Sequence, residues 1–198
     1  AHDGRYAPMT GPLQGIVVLD LSRILAGPWA TQVLADYGAE VLKVEHPQGG
    51  DDTRKWGPPY LRDRSGQETR ESAYYLSANR GKRSLAIDFS RPEGQALVRQ
   101  LAAQADVLVE NFKVGGLARY GLGHEQLAAS NPRLVYLSIS AFGQDGPDAA
   151  RPGYDAMIQG MGGLMSLTGA PAGTPGGGPQ KVGGAVADLR CGMYAVAG

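Results

Sequence analysis

Residues 15–45 read GIVVLDLSRILAGPWATQVLADYGAEVLKVE, and this stretch decides the fold class. Gly15 to Leu21 is a short apolar run rich in β-branched residues, the pattern of a buried strand. After Ala26-Gly27, Pro28 suits the first turn of a helix, where no N–H is needed. Ala30, Val33, Leu34 and Tyr37 form an i, i+3, i+4, i+7 stripe. Gly38 supplies the C-terminal stop. Glu40 to Glu45 alternates like a second strand. Strand, helix and strand with short loops imply a parallel pair and a right-handed crossover.

The pattern continues outward. Ser84 to Phe89, Asp106 to Glu110 and Leu134 to Ser140 read as further strands. Ser90 with Glu93 has the spacing of a capping box. Leu97, Leu101, Ala102 and Ala105 then line one face of the helix that follows. Shorter helices are expected over 115–120 and 124–129, a glycine-interrupted one over 154–166, and a last one from Ala185. Residues 46–75 are polar and rich in Gly, Pro, Asp and Arg, the signature of a long surface excursion. Residues 169–180 form a Gly/Pro loop. Alternating strands and helices give an α/β, Rossmann-like domain with a largely parallel sheet flanked by helices. Its ligands belong beyond the carboxyl ends of the strands, which points to the loops at 22–27, 46–56, 110–116 and 140–153.

The chain has 198 residues, with 19 Lys plus Arg against 19 Asp plus Glu. That zero formal charge argues against a nucleic-acid partner. No apolar run approaches the roughly 18 residues of a membrane span. The one cysteine, Cys191, permits no internal disulfide and fits a reducing, cytoplasmic compartment. It reads as a small buried thiol rather than a nucleophile. Residues 1–11 read as a tail, and 12–198 as the N-terminal part of a larger domain.

Several constellations carry two readings each. No GxGxxG follows the first strand and there is no Walker sequence, so a dinucleotide site lacks its fingerprint. Asn79-Arg80-Gly81-Lys82-Arg83-Ser84 is either a phosphate-holding turn or a solvated basic turn. Asn111-Phe112 at a strand end is either an amide and ring against a ligand, or a loop cap beside a buried ring. Asp188 is the only carboxylate after Asp155, set among small residues at a helix start. It serves either as an N-cap or as a nucleophile near a helix dipole. His2, His46 and His124 have no metal-ligand spacing, so no metal is expected.

Taken in order, these stretches resemble the class III CoA-transferase family. The match begins with Pro12-Leu13-Gln14-Gly15, Val18 to Arg23 and Leu25-Ala26-Gly27-Pro28. It continues through Gly38 to Glu45, Asn79 to Ser84, Val109-Glu110-Asn111-Phe112, Gly153-Tyr154-Asp155 and Asp188 with its preceding glycines. The resemblance implies coenzyme A as part of an acyl-CoA substrate, a carboxylic acid acceptor, and an interlocked homodimer of chains about twice this length. It implies Asp188 as the nucleophile that carries an anhydride and then a thioester. It also implies CoA contacts at Arg23, Ile24, Leu25 and Ala26, flanking by Asn111 and Phe112, and a phosphate-side arginine at Arg119.

Departures refine this. Formyl-CoA transferases have a glutamine where this chain has Leu25. The 23–28 loop, Gly50 to Arg54 and Trp56-Gly57-Pro58-Pro59 look more like transferases of the succinyl-CoA:glutarate type, which implies a dicarboxylate. The family's racemases carry a Gly-His-Asp run, and here it is Gly153-Tyr154-Asp155. A phenol with an ordinary pKa of about 10 is poorly matched to α-proton abstraction near neutral pH. Asp155 reads as the holder of a loop or helix start. An inactive CoA-binding or folding fragment is the reading from another class.

Overall fold

The computed structural model describes residues 11–198. The expected tail therefore lies outside the described residues except for Gly11. Five parallel strands make the main sheet: β1 (Val17–Asp20), β2 (Glu40–Glu45), β5 (Arg83–Ala86), β6 (Val107–Glu110) and β7 (Val135–Ser138), in the order β5-β2-β1-β6-β7. The chain steps outward from β1 to β2 and β5, then returns to the other side of β1 for β6 and β7. The reversal falls between β1 and β6, and the crevice above such a switch point is where open α/β sheets bind ligands.

Period-two alternation sends the two sides of each strand to different cores. Val18, Val41 and Val109 meet Ala35 and Ala39 around helix α1 (Ala26–Asp36). Leu19, Leu21, Val44 and Leu108 meet Val98 and Ala102 of α3 (Pro92–Ala102), with Leu127 of α4 (His124–Ala128). Helix α7 (Val186–Ala197) packs along α1, so α1 is covered twice. This shifts its buried set from the expected stripe. Ala30, Thr31, Gln32 and Ala35 are buried, while Tyr37 is exposed.

Three local expectations are corrected. The 46–75 excursion is structured: a 3-10 turn at Asp52–Lys55, an antiparallel hairpin of β3 (Tyr60–Arg62) and β4 (Glu68–Ser72), and the start of helix α2 (Ala73–Asn79). Ser72 is the N-cap of α2 and accepts the Tyr75 N–H at 3.0 Å. Ser90 and Glu93 do not box α3. Pro92 holds N1 and keeps Arg91 extended as the N-cap, while Ser90 bonds Asp88 at 2.6 Å. The buried face therefore follows Gly94, Val98 and Ala102, and Leu97 turns outward. The 154–166 segment is two helices, α5 (Asp155–Met161) and α6 (Leu164–Thr168), split at Gly162 and Gly163. Gly163 has φ of 80°, which favours glycine.

Candidate functional site

The loop after β1 crosses the switch point and is anchored from three directions. Asp20, at the end of β1, is buried and receives the Ser22 N–H at 2.9 Å, the Ser22 hydroxyl at 2.5 Å, the Thr31 hydroxyl at 2.6 Å and Lys82 Nζ at 3.0 Å. Burial raises its pKa, but Lys82, Lys43 and the two hydroxyls outweigh that and hold it well below the usual carboxylate range. Lys43, from β2, donates to the Ser22 carbonyl at 2.9 Å and pairs with Asp51 at 3.1 Å. Asp51 in turn accepts the Ile24 N–H at 3.2 Å. Asn111, beyond β6, accepts the Arg23 N–H at 2.8 Å and donates to the Arg23 carbonyl at 2.7 Å.

This anchoring holds Ile24 at φ 72°. A β-branched residue in the left-handed region stores about 1–3 kcal/mol of strain, and such strain persists where the surroundings over-determine it. The Arg23 guanidinium lies 5.1 Å from the Phe112 ring centroid. Leu25 and Ala26 are buried where the loop enters α1.

Above the strand ends lies a cleft of about 490 Å³. Leu21 and Arg23 line it after β1, Glu45, His46 and Gln48 to Asp52 at and after the end of β2, Phe89 and Ser90 after β5, and Phe112 after β6. Of the four loops expected near a site, 22–27 contributes Arg23, 110–116 contributes Phe112 and 46–56 several residues, while 140–153 contributes none to this lining. Arg119 lies outside that lining, on the 3-10 turn Ala118–Tyr120, with its guanidinium over Tyr120 at 4.5 Å.

The basic turn at 79–83 turns its cations to internal partners. Lys82 is enclosed by Asp20, the Pro28 carbonyl and Asn79, Arg80 pairs with Asp36, and Arg83 pairs with Glu40. Burial, with Lys43 adding to it, pushes the Lys82 pKa down to about 8 although Asp20 opposes the shift. Lys82 is thus enclosed, while Arg80 and Arg83 are exposed surface pairs, so the solvated-turn reading holds for the two arginines and not for the lysine.

Asp188 sits in the first turn of α7. It does not cap that helix: the N-cap is Ala185, which offers no side-chain bond. The cap comes from α5, where Asp155 Oδ1 accepts the Ala187 N–H at 2.8 Å. The expectation that Asp155 holds a helix start thus describes what it does. The Asp188 carboxyl is raised above its ordinary pKa, first by burial and then by the charge of Asp155. Tyr74 of α2 is raised by burial and by the charges of Asp188, Asp155 and Asp51, and Cys191 by burial and Asp188.

Close helix packing brings α7 against the start of α1. A Cβ on Gly192 would lie 2.8 Å from the Ala26 carbonyl and 2.9 Å from the Trp29 ring. Asp188 is one turn from Gly192 on the same helix face. Tyr154 is exposed.

The mutual pairing of Asp20, Lys43, Asp51 and Lys82 escaped sequence reasoning. Its one visible signal was Lys43 between the apolar residues Leu42 and Val44 of a buried strand. Among the described residues no group of three His, Cys, Asp or Glu side chains is placed to hold a metal ion, and no helix is long and apolar enough to cross a membrane.

Comparison with known proteins adds to this geometry. The sequence profile of CoA-transferase family III matches residues 13–198. A succinate–glutarate CoA-transferase of Agrobacterium fabrum is 56% identical over 185 residues, covering 93% of this chain and 45% of that protein. Succinyl-CoA:glutarate CoA-transferase of Homo sapiens is 47% identical over 184 residues, covering 93% of this chain and 40% of that protein. A crystal structure of a CAIB/BAIF family protein from Brucella suis superposes with a TM-score of 0.88 at 54% identity, covering 96% of this chain and 48% of that one. The chain thus spans less than half the length of these relatives.

Proposed function

The chain belongs to CoA-transferase family III, and from that membership we propose that its protein moves CoA from an acyl-CoA to a carboxylic acid, with Asp188 as the nucleophile. The observation that carries the assignment is the state of Asp188. It is a half-buried carboxylate with its pKa raised, on a helix whose N-terminal cap is supplied by a different acid. An acid already used as a cap has lost basicity to its hydrogen bonds; this one has not.

The chemistry follows in four balanced steps. The Asp188 carboxylate attacks the thioester carbonyl, and the C–S bond breaks to give a mixed anhydride and CoA thiolate. The thiolate attacks the aspartyl carbonyl, releasing the donor acid and leaving an aspartyl-CoA thioester. The acceptor carboxylate attacks that thioester, forming a second anhydride and freeing the thiolate again. The thiolate then takes the acceptor acyl group and restores Asp188. Anhydride and thioester have similar transfer potential, so one hard exchange becomes several easy ones.

The cleft suits the CoA nucleotide, with the Phe112 ring and Arg23 at its wall. The strained loop from Arg23 to Ala26 leads from there toward α7. Arg119 supplies a phosphate-side cation at the periphery. Two relatives whose names specify glutarate favour succinyl-CoA as donor and a dicarboxylate as acceptor. The proposal includes an interlocked homodimer in a reducing, cytoplasmic compartment, which fits the single cysteine.

The test is a panel of mono- and dicarboxylates offered with succinyl-CoA to the protein containing this chain, read as new acyl-CoA by mass spectrometry. Transfer to dicarboxylates, abolished in Asp188→Ala, is the expected result. Full transfer by Asp188→Ala would overturn the assignment.

A further inference from the structure

Asp155 and Gln159 stand one turn apart on α5, 9% and 1% exposed. Together they hold the segment that leads into α7. Asp155 Oδ1 accepts the Ala187 N–H at 2.8 Å and the Asp188 N–H at 3.4 Å. Its Oδ2 accepts from Gln159 Nε2 at 2.6 Å. Gln159 Oε1 accepts the Val182 N–H at 2.9 Å, and Nε2 also donates to the Gly184 carbonyl at 3.2 Å. Two side chains thus fix backbone groups on both sides of Gly183 and Gly184, where glycine leaves the chain no stiffness of its own.

The consequence is electrostatic as well as geometric. An uncapped helix N-terminus stabilises a carboxylate in its first turn. That stabilisation would lower the basicity of Asp188 and with it the nucleophilicity. Asp155 takes up the Ala187 and Asp188 N–H groups and sets a like charge beside Asp188.

We propose that Asp155 and Gln159 are positioning residues for Asp188, which fix the entry to α7 and, through Asp155, occupy the Ala187 and Asp188 N–H groups so that the Asp188 carboxylate is presented unbonded. This rests on the reading of Asp188 as the nucleophile. Other groups near Asp188 are Tyr74 from α2 and Cys191 on its own helix. The one ionisable side chain of α1, Asp36, is paired with Arg80.

The test is steady-state kinetics across pH on the protein containing this chain, using Asp155→Asn, the double variant Asp155→Asn with Gln159→Glu, and Asp188→Ala. Asp155→Asn removes the charge and presents an amide N–H to Gln159 Nε2. The double variant restores a donor–acceptor pair with reversed polarity. Expected is a fall in kcat of about 10–100-fold for Asp155→Asn, the order associated with misplacing a reacting group. The KM for acyl-CoA should change little, and the acidic limb of the kcat profile should move to lower pH. The double variant should recover part of kcat. Wild-type kcat and pH profile in Asp155→Asn, beside an inactive Asp188→Ala, would overturn the positioning role alone. So would a kcat loss that only tracks lost folded protein in thermal melts, with the acidic limb unmoved and no recovery in the double variant. A fully active Asp188→Ala would instead overturn the nucleophile assignment beneath it.

Discussion

Asn111 grips the backbone of Arg23 from both sides, accepting its N–H at 2.8 Å and donating to its carbonyl at 2.7 Å. The two residues lie 88 positions apart, on the loops after β6 and β1. They face each other across the point where the strand order reverses. The amide therefore ties shut the rim of the crevice that the topology opens, and holds Ile24 in its strained conformation.

Asn111→Ala should release that strain and let the 22–25 loop relax. The two lost hydrogen bonds, at about 1 kcal/mol each, should lower stability by up to about 2 kcal/mol, offset in part by the released strain. The loosened loop should lower kcat/KM for acyl-CoA by roughly 10–100-fold, mostly in KM. Kinetics paired with thermal melts checks this.

Gly192→Ala should separate α7 from α1, because its methyl meets the Ala26 carbonyl and the Trp29 ring at under 3 Å. Overpacking of this kind costs about 1–3 kcal/mol, and activity should fall further because Asp188 moves with the helix. Gly183→Ala, with nothing within 4 Å, is the matched control for stability. Denaturant unfolding of both variants separates a steric effect from a general intolerance of glycine loss.

Lys82→Met should be severely destabilising, since it leaves Asp20 charged in the core without its main partner. Removing one member of a buried pair costs about 3–5 kcal/mol. The double variant Lys82→Met with Asp20→Asn should recover much of that loss. A double-mutant cycle by chemical denaturation measures the coupling.

Glu45 governs acid stability. Burial pushes its pKa up, but Arg54, Ser84, the Asp51 N–H and Tyr75 outweigh it and bring the carboxyl from 4.5 down to about 2. A carboxyl depressed on folding contributes stability that is full above its unfolded pKa and is lost as pH falls through the folded value. Stability should therefore decline between about pH 4.5 and 2. In Glu45→Gln that decline should be shallower, from a lower plateau at neutral pH. Urea midpoints across this range provide the measurement.

How far the sequence carried depended on the range of the interaction. The β1-α1-β2 unit was legible because alternation, a helical stripe and Pro28 and Gly38 all act within a few residues. Five strands were found for the same reason. Helix α2 was missed because its cap, Ser72, lies at the end of a polar hairpin with no apolar periodicity to announce it. The Ser90 cap was misread because Pro92 fixes the N-cap at Arg91. The cations at 80, 82 and 83 looked free because their partners, Asp36, Asp20 and Glu40, are over 40 positions away. Asp188 was legible as an unusual acid. That Asp155 caps its helix in its place follows only from how α5 packs against α7.

The central claim concerns one covalent bond on one side chain. Incubating the protein containing this chain with succinyl-CoA and quenching with hydroxylamine should convert the activated aspartyl group to a hydroxamate. Peptide mass spectrometry should then place that modification on Asp188, dependent on acyl-CoA and absent without it. Turnover with no label on Asp188, or with the label on another carboxylate, would contradict the account.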